Sequence, residues 1–435
     1  MSSLLELSSR FIDEGIYEGQ GSVNRPTGQL SEIADDIALI EAFSHVVVLR
    51  TDAGLLLGDT SVSMFGAAIV SALRGWSYEP VDTILYTHGH IDHVGGAPAI
   101  VADAEERGDR RPAVLAHENV PVRFDRYDLT NGYNAIINQR QFGQRGRLGM
   151  AGPAPRFFDD WVEPTTTFRE TLDVEVGGLR IELRHDRGET DDHAWAWIPQ
   201  HKAILSGDFL TWVFPNAGNP QKVQRYPLEW ARALRTMASL EPELLLPAHG
   251  LPIDGKDRIA RVLDDVARAL ETLVDQTLAL MNEGARLDRI VHEVRVPDDL
   301  LERPYLQPVY DEPEFVVRNI WRLYGGWYDG NPAHLKPAPD AHLAAEIAHL
   351  AGGADKLALR ARELVERPNA DDRYAAAQLV EYAAQADPND ARIRHVRHEV
   401  YETLRRHERS LMSQGIYRAA AEDSASQNGD EPSRD

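Results

Sequence analysis

Seven residues in this chain, spread over four short segments, have the types and spacing to hold metal ions. Four of them, His88, His90, Asp92 and His93, lie in Thr87-His88-Gly89-His90-Ile91-Asp92-His93. Four donors within six residues cannot share one helix face or one strand face. The segment must be a tight loop, and Gly89, Gly95 and Gly96 supply its freedom to turn. Neutral imidazole and carboxylate are ligands that a borderline ion such as zinc accepts. A solvated polar turn rich in histidine is the bland alternative, but the pattern is longer than the usual two-ligand motif. Later segments offer His193 in Gly188-Glu189-Thr190-Asp191-Asp192-His193, Asp208 in Leu205-Ser206-Gly207-Asp208, and His249 in Pro247-Ala248-His249-Gly250. Singly each is weak, because a histidine at a strand end is more often a structural hydrogen-bonder. Behind the first cluster, in this order, they form a coherent set. Two cations held so would form a hydroxide near neutral pH by lowering the pKa of water, and would neutralise charge on the group it attacks. The chain has no cysteine, so no thiolate ligand, disulfide or cysteine nucleophile enters.

Each donor segment follows or abuts an apolar run. The runs His45 to Leu49 and Leu55 to Leu57, separated by Asp52-Ala53-Gly54, predict a β-hairpin. Thr83 to Tyr86 predicts a buried strand feeding the first cluster, Ala113 to Ala116 another, and residues 61–74 a helix. A second strand series comprises Asp173 to Val176, Leu179 to Leu183, Ala194 to Ile198, Ala203 to Leu205 and Leu244 to Leu246. Strands mixed with helices in two similar halves predict an α/β fold, a layered αββα sandwich. Residues 1 to about 40 read as a polar lead-in with some helical patterning, and 120–160 as an active-site loop with a short helix. Beyond residue 257 the spacing of Val262, Val266, Leu270, Leu273 and Leu278 is helical, as is that of Leu343, Ile347 and Leu350 and of Leu357, Ala361, Leu364 and Val365. The expected division is a catalytic domain at 1–265, a helical and extended connection at 266–338, a helical domain at 339–420 and a disordered polar tail at 421–435.

Composition narrows the partners. A formal charge of −23, from 46 basic and 69 acidic residues, repels nucleic-acid phosphates and anionic membranes. No apolar run is long enough to span a bilayer, and Met1 to Gly15 has no basic region followed by an apolar core, so the expected location is cytoplasmic.

The order T-H-x-H-x-D-H, G-x-T-x-x-H, a G-D strand end and a final His resembles the metallo-β-lactamase superfamily. The resemblance implies that His88, His90 and His193 hold one metal and Asp92, His93 and His249 the other, with Asp208 bridging. Asp92 and Asp208 would thereby act in catalysis, and Asp59 would brace the site from behind. It implies two zinc ions, although the donors also suit iron or manganese. A narrower resemblance, to the alkylsulfatase group, rests on Asp275 to Gly284 and on Gly326-Trp327-Tyr328-Asp329-Gly330-Asn331-Pro332-Ala333. The helices after Pro339 resemble that group's dimerisation domain, which implies a homodimer. Asn134, Arg140 and the Phe142-Gly143 pair fall in a segment similar to its substrate loop. Arg225 stands where the family carries a sulfate-contacting arginine, and a guanidinium fork suits an anionic oxygen cluster. The group carries glutamates where this chain has His193 and Asp208.

Plainer roles stay open: Arg225 as a surface salt bridge, Asn134 as a helix cap, Trp327 and Tyr328 as turn packing, and His45, His117, His185 and His201 as structural residues. The function expected is hydrolysis of a small-molecule ester, an alkyl sulfate or similar. A carboxylic ester, lactone, amide or thioester hydrolase is the alternative enzyme. A helical scaffold with a vestigial metal domain is the non-enzymatic one, and the complete donor set argues against it.

Overall fold

The apolar runs of the sequence become strands that are buried on both faces. The computed structural model describes residues 3–15, 19–143 and 160–426. It divides into two units, Met1–Asn134 with Pro155–Trp327, and Ala135–Ala154 with Tyr328–Asp435.

In the first unit, one sheet orders seven strands as they occur: β1 Leu30–Ala34, β2 Ile37–Ile40, β3 Val46–Thr51, β4 Gly54–Gly58, β5 Val81–Leu85, β6 Ala113–His117 and β7 Thr166–Phe168. The other holds six: β8 Thr171–Val176, β9 Leu179–His185, β10 Ala194–Ile198, β11 Ala203–Gly207, β12 Leu244–Pro247 and β13 Ile253–Asp254. Alternation along β3 shows the layering. Val47 and Leu49 face the second sheet, packing with Leu183, Ala196, Leu205 and Leu246. Val46 and Val48 face outward, where Ile69, Leu73, Ile100 and Phe124 of the helices Gly66–Trp76, Ala97–Arg107 and Asn119–Leu129 cover them. On the far side Trp195, Ile204 and Leu245 pack under the helices Pro227–Ser239 and Lys256–Asn282. The layers are α, β, β and α, as the strand pattern predicts.

Three expectations need correction. The helical patterning of the lead-in is a helix at Leu4–Glu14, with a capping box between Ser3 and Glu6, but residues 30–40 are not lead-in: they form β1 and β2. The segment after residue 118 is two consecutive helices, Asn119–Leu129 and Asn131–Phe142, and not a loop with one short helix; its continuation over 144–159 lies outside the described residues. The helix Leu411–Ser426 carries regular structure into the supposed tail, because Arg397 donates to Ala420 O and Ser424 Oγ, both at 2.7 Å; residues 427–435 lie outside the described residues. The helix Lys256–Asn282 also runs unbroken through position 265.

Strand direction gathers the donor loops. β4 and β5 are parallel, with Gly58 beside Leu85, so Asp59 and Thr87 leave the sheet at the same end. β11 and β12 are parallel, with Gly207 beside Pro247, and β10 runs antiparallel to β11, so His193, Asp208 and His249 share one end of the second sheet. The Ala194 amide donates to Thr87 O at 2.7 Å and ties the two ends together.

The second unit is helical. Asp340–Ala351, Ala354–Val365, Ala370–Ala386, Ala391–His407 and Leu411–Ser426 pack around Ala358, Ala361, Ala376, Val380, Val400 and Leu404. Asn369 and Asp390 cap two of these helices through bonds to the Asp371 and Arg392 amides. Among the described residues no helix is long and apolar enough to cross a membrane.

Candidate metal centre

The first donor loop leaves β5 and closes on itself through the short helix Ile91–Val94, which His90 precedes. Its bend depends on Gly96, where a Cβ would come within 2.0 Å of Thr60 O. Across the site, Gly207 has φ +53°, and a Cβ there would lie 2.7 Å from His193 Nε2 and 2.8 Å from Thr87 Cβ. Only a glycine permits β11 to end this close to the histidines.

Three groups of donors converge, each with ligand atoms within 4.8 Å of one another: Asp92, His93 and His249; His88, His93 and Asp208; and His90, Glu189 and Asp208. Asp208 lies between them, with Oδ2 3.4 Å from His93 Nε2 and 3.8 Å from His88 Nε2, and Oδ1 3.6 Å from His249 Nε2. His249 Nε2 is 3.3 Å from Asp92 Oδ2, and His88 Nε2 is 2.9 Å from His90 Nδ1. His193 is placed differently from the other candidates. Its ring stacks on Phe209, its Nε2 accepts the Asp208 amide at 3.1 Å, and no donor group includes it. The position beside His90 is filled by Glu189, whose Oε1 is 3.7 Å from His90 Nδ1.

The electrostatics fit cations. Three carboxylates, Asp92, Asp208 and Glu189, share a buried space with the imidazoles. Burial, and then Asp208, pushes the Glu189 carboxyl up to about 8. Burial holds His88 and His90 well below the usual histidine range, so their neutral rings keep lone pairs for a metal, and it holds His193 down to about 3, so that its neutral Nε2 accepts the Asp208 amide. Burial opposes charge on His93 too, but Asp208, Asp59 and Asp92 outweigh it and push the ring well up. His249 rises for the same reason, burial being outweighed by Asp208 and Asp92. A group of acids that drives two neighbouring imidazoles towards protonation is one that a metal ion would relieve. His93 Nε2 and Asp208 Oδ1 are buried without a hydrogen-bond partner, another mark of a ligand position.

Outer contacts fix these donors. His93 Nδ1 lies 2.7 Å from Asp59 Oδ2, and Asp59 also accepts from Thr87 N and Thr87 Oγ1, each at 2.8 Å. Such a carboxylate sets the tautomer and orientation of a ligand histidine. The His88–His90 loop is fixed through Gly89, whose amide donates to Asp192 Oδ2 at 2.9 Å. Asp192 is itself paired with buried Arg123, at 2.8 and 2.7 Å. Burial would raise Asp192, but Arg123 overrides it and holds the carboxyl at about 2.

One side of the centre is cationic. Arg225 is buried rather than on the surface, with Nη2 3.4 Å from Glu189 Oε1 and Nε without a partner. The field of Lys222 also reaches His90, Glu189 and Arg225. Asn134 turns its amide back onto Thr130, donating to Oγ1 at 2.7 Å and to O at 3.1 Å. Arg140 is exposed and belongs to the second unit. Exposed Trp327 and Tyr328 stand at the boundary between the units. Sequence reasoning passed over Glu189, Asp192, Arg123 and Lys222. For Glu189 a signal existed: a carboxylate four residues before His193 in the same donor segment.

Residues 39–249 match the metallo-β-lactamase superfamily, and residues 286–427 match the alkyl sulfatase dimerisation family. A linear primary-alkylsulfatase of a Pseudomonas strain is 28% identical over 371 residues, covering 82% of this chain and 69% of that protein. An alkyl/aryl-sulfatase of Saccharomyces cerevisiae is 25% identical, covering 86% of this chain and 60% of its own length. The solved stereoselective inverting sec-alkylsulfatase from Pseudomonas sp. superposes with a TM-score of 0.80 at 23% identity, over 93% of this chain and 66% of that one. The chain thus spans about two thirds of these proteins, or less.

Proposed function

We propose that this chain, a metallo-β-lactamase domain joined to an alkyl sulfatase dimerisation domain, hydrolyses alkyl sulfate esters to an alcohol and hydrogen sulfate. The observation that carries the proposal is buried Arg225 beside the His90–Glu189–Asp208 donor group. A cation buried next to a metal site has a use when the substrate brings anionic oxygens that the metals cannot all contact. A carboxylic ester or lactone brings no such charge.

Two zinc ions are proposed, one held by His88, His90 and Glu189 and the other by Asp92, His93 and His249, with Asp208 shared. His193 supports Asp208 through its backbone amide. Bound cations would lower the pKa of water and neutralise charge on the sulfate. The chain's own residues do the rest. Asp59 orients His93, Asp192 holds the His88–His90 loop through Gly89, and Arg225 receives sulfate oxygens. Asn134 and Arg140 fall in the segment that the family resemblance offers as a substrate loop. Two copies are proposed to associate through the helical unit.

The test is a panel of primary and secondary alkyl sulfates, aryl sulfates, lactones, acyl esters and thioesters with zinc-loaded protein. Alkyl sulfates should be cleaved fastest. Arg225→Ala should slow them by about one to two orders of magnitude, from a charge-assisted bond worth roughly 1.5–3 kcal/mol, without changing metal content. Faster cleavage of lactones or acyl esters, at a rate that Arg225→Ala leaves unchanged, would contradict the sulfatase assignment.

A further inference from the structure

Arg225 lies in a stretch without regular structure, between β11 and the helix Pro227–Ser239. Such a segment cannot by itself hold a buried guanidinium at a fixed place. The helix Pro313–Gly325 and the turn before it grip the segment at two points. At the near point, Asn319 Oδ1 accepts from Arg225 N at 3.3 Å and from Gln224 Nε2 at 2.8 Å, while Asn319 Nδ2 donates to Arg225 O at 3.0 Å. One side-chain amide thus satisfies both backbone groups of the arginine, as a neighbouring strand would. At the far point, Asp311 Oδ2 accepts from Gly218 N at 2.6 Å and Asn219 N at 3.1 Å, while its Oδ1 accepts from Glu312 N at 2.8 Å. The approach is close: a Cβ on Gly218 would lie 2.3 Å from Val316 N. Asp311 is fully buried and Asn319 nearly so.

Both gripping residues fall in the stretch matched by the dimerisation family, 286–427, and outside the 39–249 match of the metallo-β-lactamase superfamily. Both nevertheless belong to the first unit, with the metal donors. We infer that Asn319 and Asp311 are positioning residues for the anionic end of the substrate, placing the Arg225 guanidinium through its backbone. The inference rests on Arg225 being the sulfate anchor.

Full-length, zinc-loaded protein tests it, with inorganic sulfate as a competitive inhibitor of octyl sulfate hydrolysis. Asn319→Leu keeps the size of the side chain and removes its hydrogen bonds. It should raise both KM and the sulfate inhibition constant about tenfold, with kcat and zinc content little changed. Asn319→Asp, which keeps the acceptor but not the donor, should fall between. In the double variant with Arg225→Ala, the inhibition constant should match that of Arg225→Ala alone within about twofold, because placing an absent guanidinium has no effect. A merely structural role predicts that the two changes multiply, and that result would overturn the inference. So would an unchanged inhibition constant in Asn319→Leu. If that variant does not fold, Asn319→Asp is carried through the same cycle with the same criteria. Should Arg225→Ala by itself leave the sulfate constant unchanged, the anchor fails first, and the inference falls with it.

Discussion

The two units bury different chemistry. The first closes over ionisable groups: Asp59, His88, His93, Arg123, Asp192, His193, Asp208, Arg225 and Asp311 are all buried. The second has Gln141, Ser410, Ser413 and Ser424 as its buried polar residues among those described, and its core is alanine, valine and leucine. Burying a charge is costly unless it is paired and hydrogen-bonded, so charges are retained where chemistry uses them. The second unit, with few buried ionisable groups, sets exposed leucines on one of its helices. Leu350 is 85% exposed and Leu343 44%, on a helix whose inward face is Ala344 and Ala348. One unit closes its interior over ionisable groups, and the other exposes leucines in the stretch that matches the alkyl sulfatase dimerisation family, where the proposed association can be tested.

The largest expected difference between the units is in how they tolerate loss of an ion-pair partner. Asp192→Ala leaves buried Arg123 with only the half-exposed Asp191 as its carboxylate partner, which should cost about 3 kcal/mol and loosen the His88–His90 loop. Arg360→Met, which breaks the half-exposed pair with Glu363 in the second unit, should cost only about 1 kcal/mol or less. Thermal unfolding of the two variants compares them directly. Equal shifts would remove the contrast.

Next in size is association. Burying a leucine side chain contributes about 1.5–3 kcal/mol, so Leu343→Asp or Leu350→Asp should raise a dimer dissociation constant about tenfold or more. Light scattering across a concentration series reads this, with zinc content expected to stay the same. An unaltered mass for both variants would show that this face is not where copies meet.

The smallest effect concerns pH. Burial, and then nearby Arg225, pushes Lys222 down to about 8. It is charged below that pH and neutral above it. KM for an alkyl sulfate should therefore rise several-fold, roughly threefold to tenfold, between pH 7 and pH 9.5. Lys222→Met should show the high KM throughout, with that rise flattened. A rise that persists in the variant would assign the titration elsewhere.

Much of this was legible in the sequence, for identifiable reasons. The hairpin of β3 and β4, the strand before the first donor loop and the later strand series announce themselves by apolar runs bounded by turns. Of the donors marked by type and order, His88, His90, Asp92, His93, Asp208 and His249 converge and His193 does not join them. What was hidden depends on pairing at a distance. Arg123 and Asp192 are 69 positions apart, and no local pattern joins them. Asn319 and Arg225 are 94 apart. β1, Leu30-Ser31-Glu32-Ile33-Ala34, is a half-exposed edge strand whose polar residues hid it in the lead-in. Glu189 was overlooked because a histidine ends the same segment. In the helix Asp340–Ala351 the leucine spacing marked an apolar stripe correctly, but alanines pack into the unit's own core and Leu343 and Leu350 point outward.

The centre proposed here needs two ions. Metal-free protein, titrated with zinc while octyl sulfate hydrolysis and bound metal are measured together, tests it most directly. Activity should keep rising until two equivalents per chain are bound, because the donors around His90 and those around His249 form separate groups. Full activity at one bound equivalent, with no further gain at the second, would contradict the account.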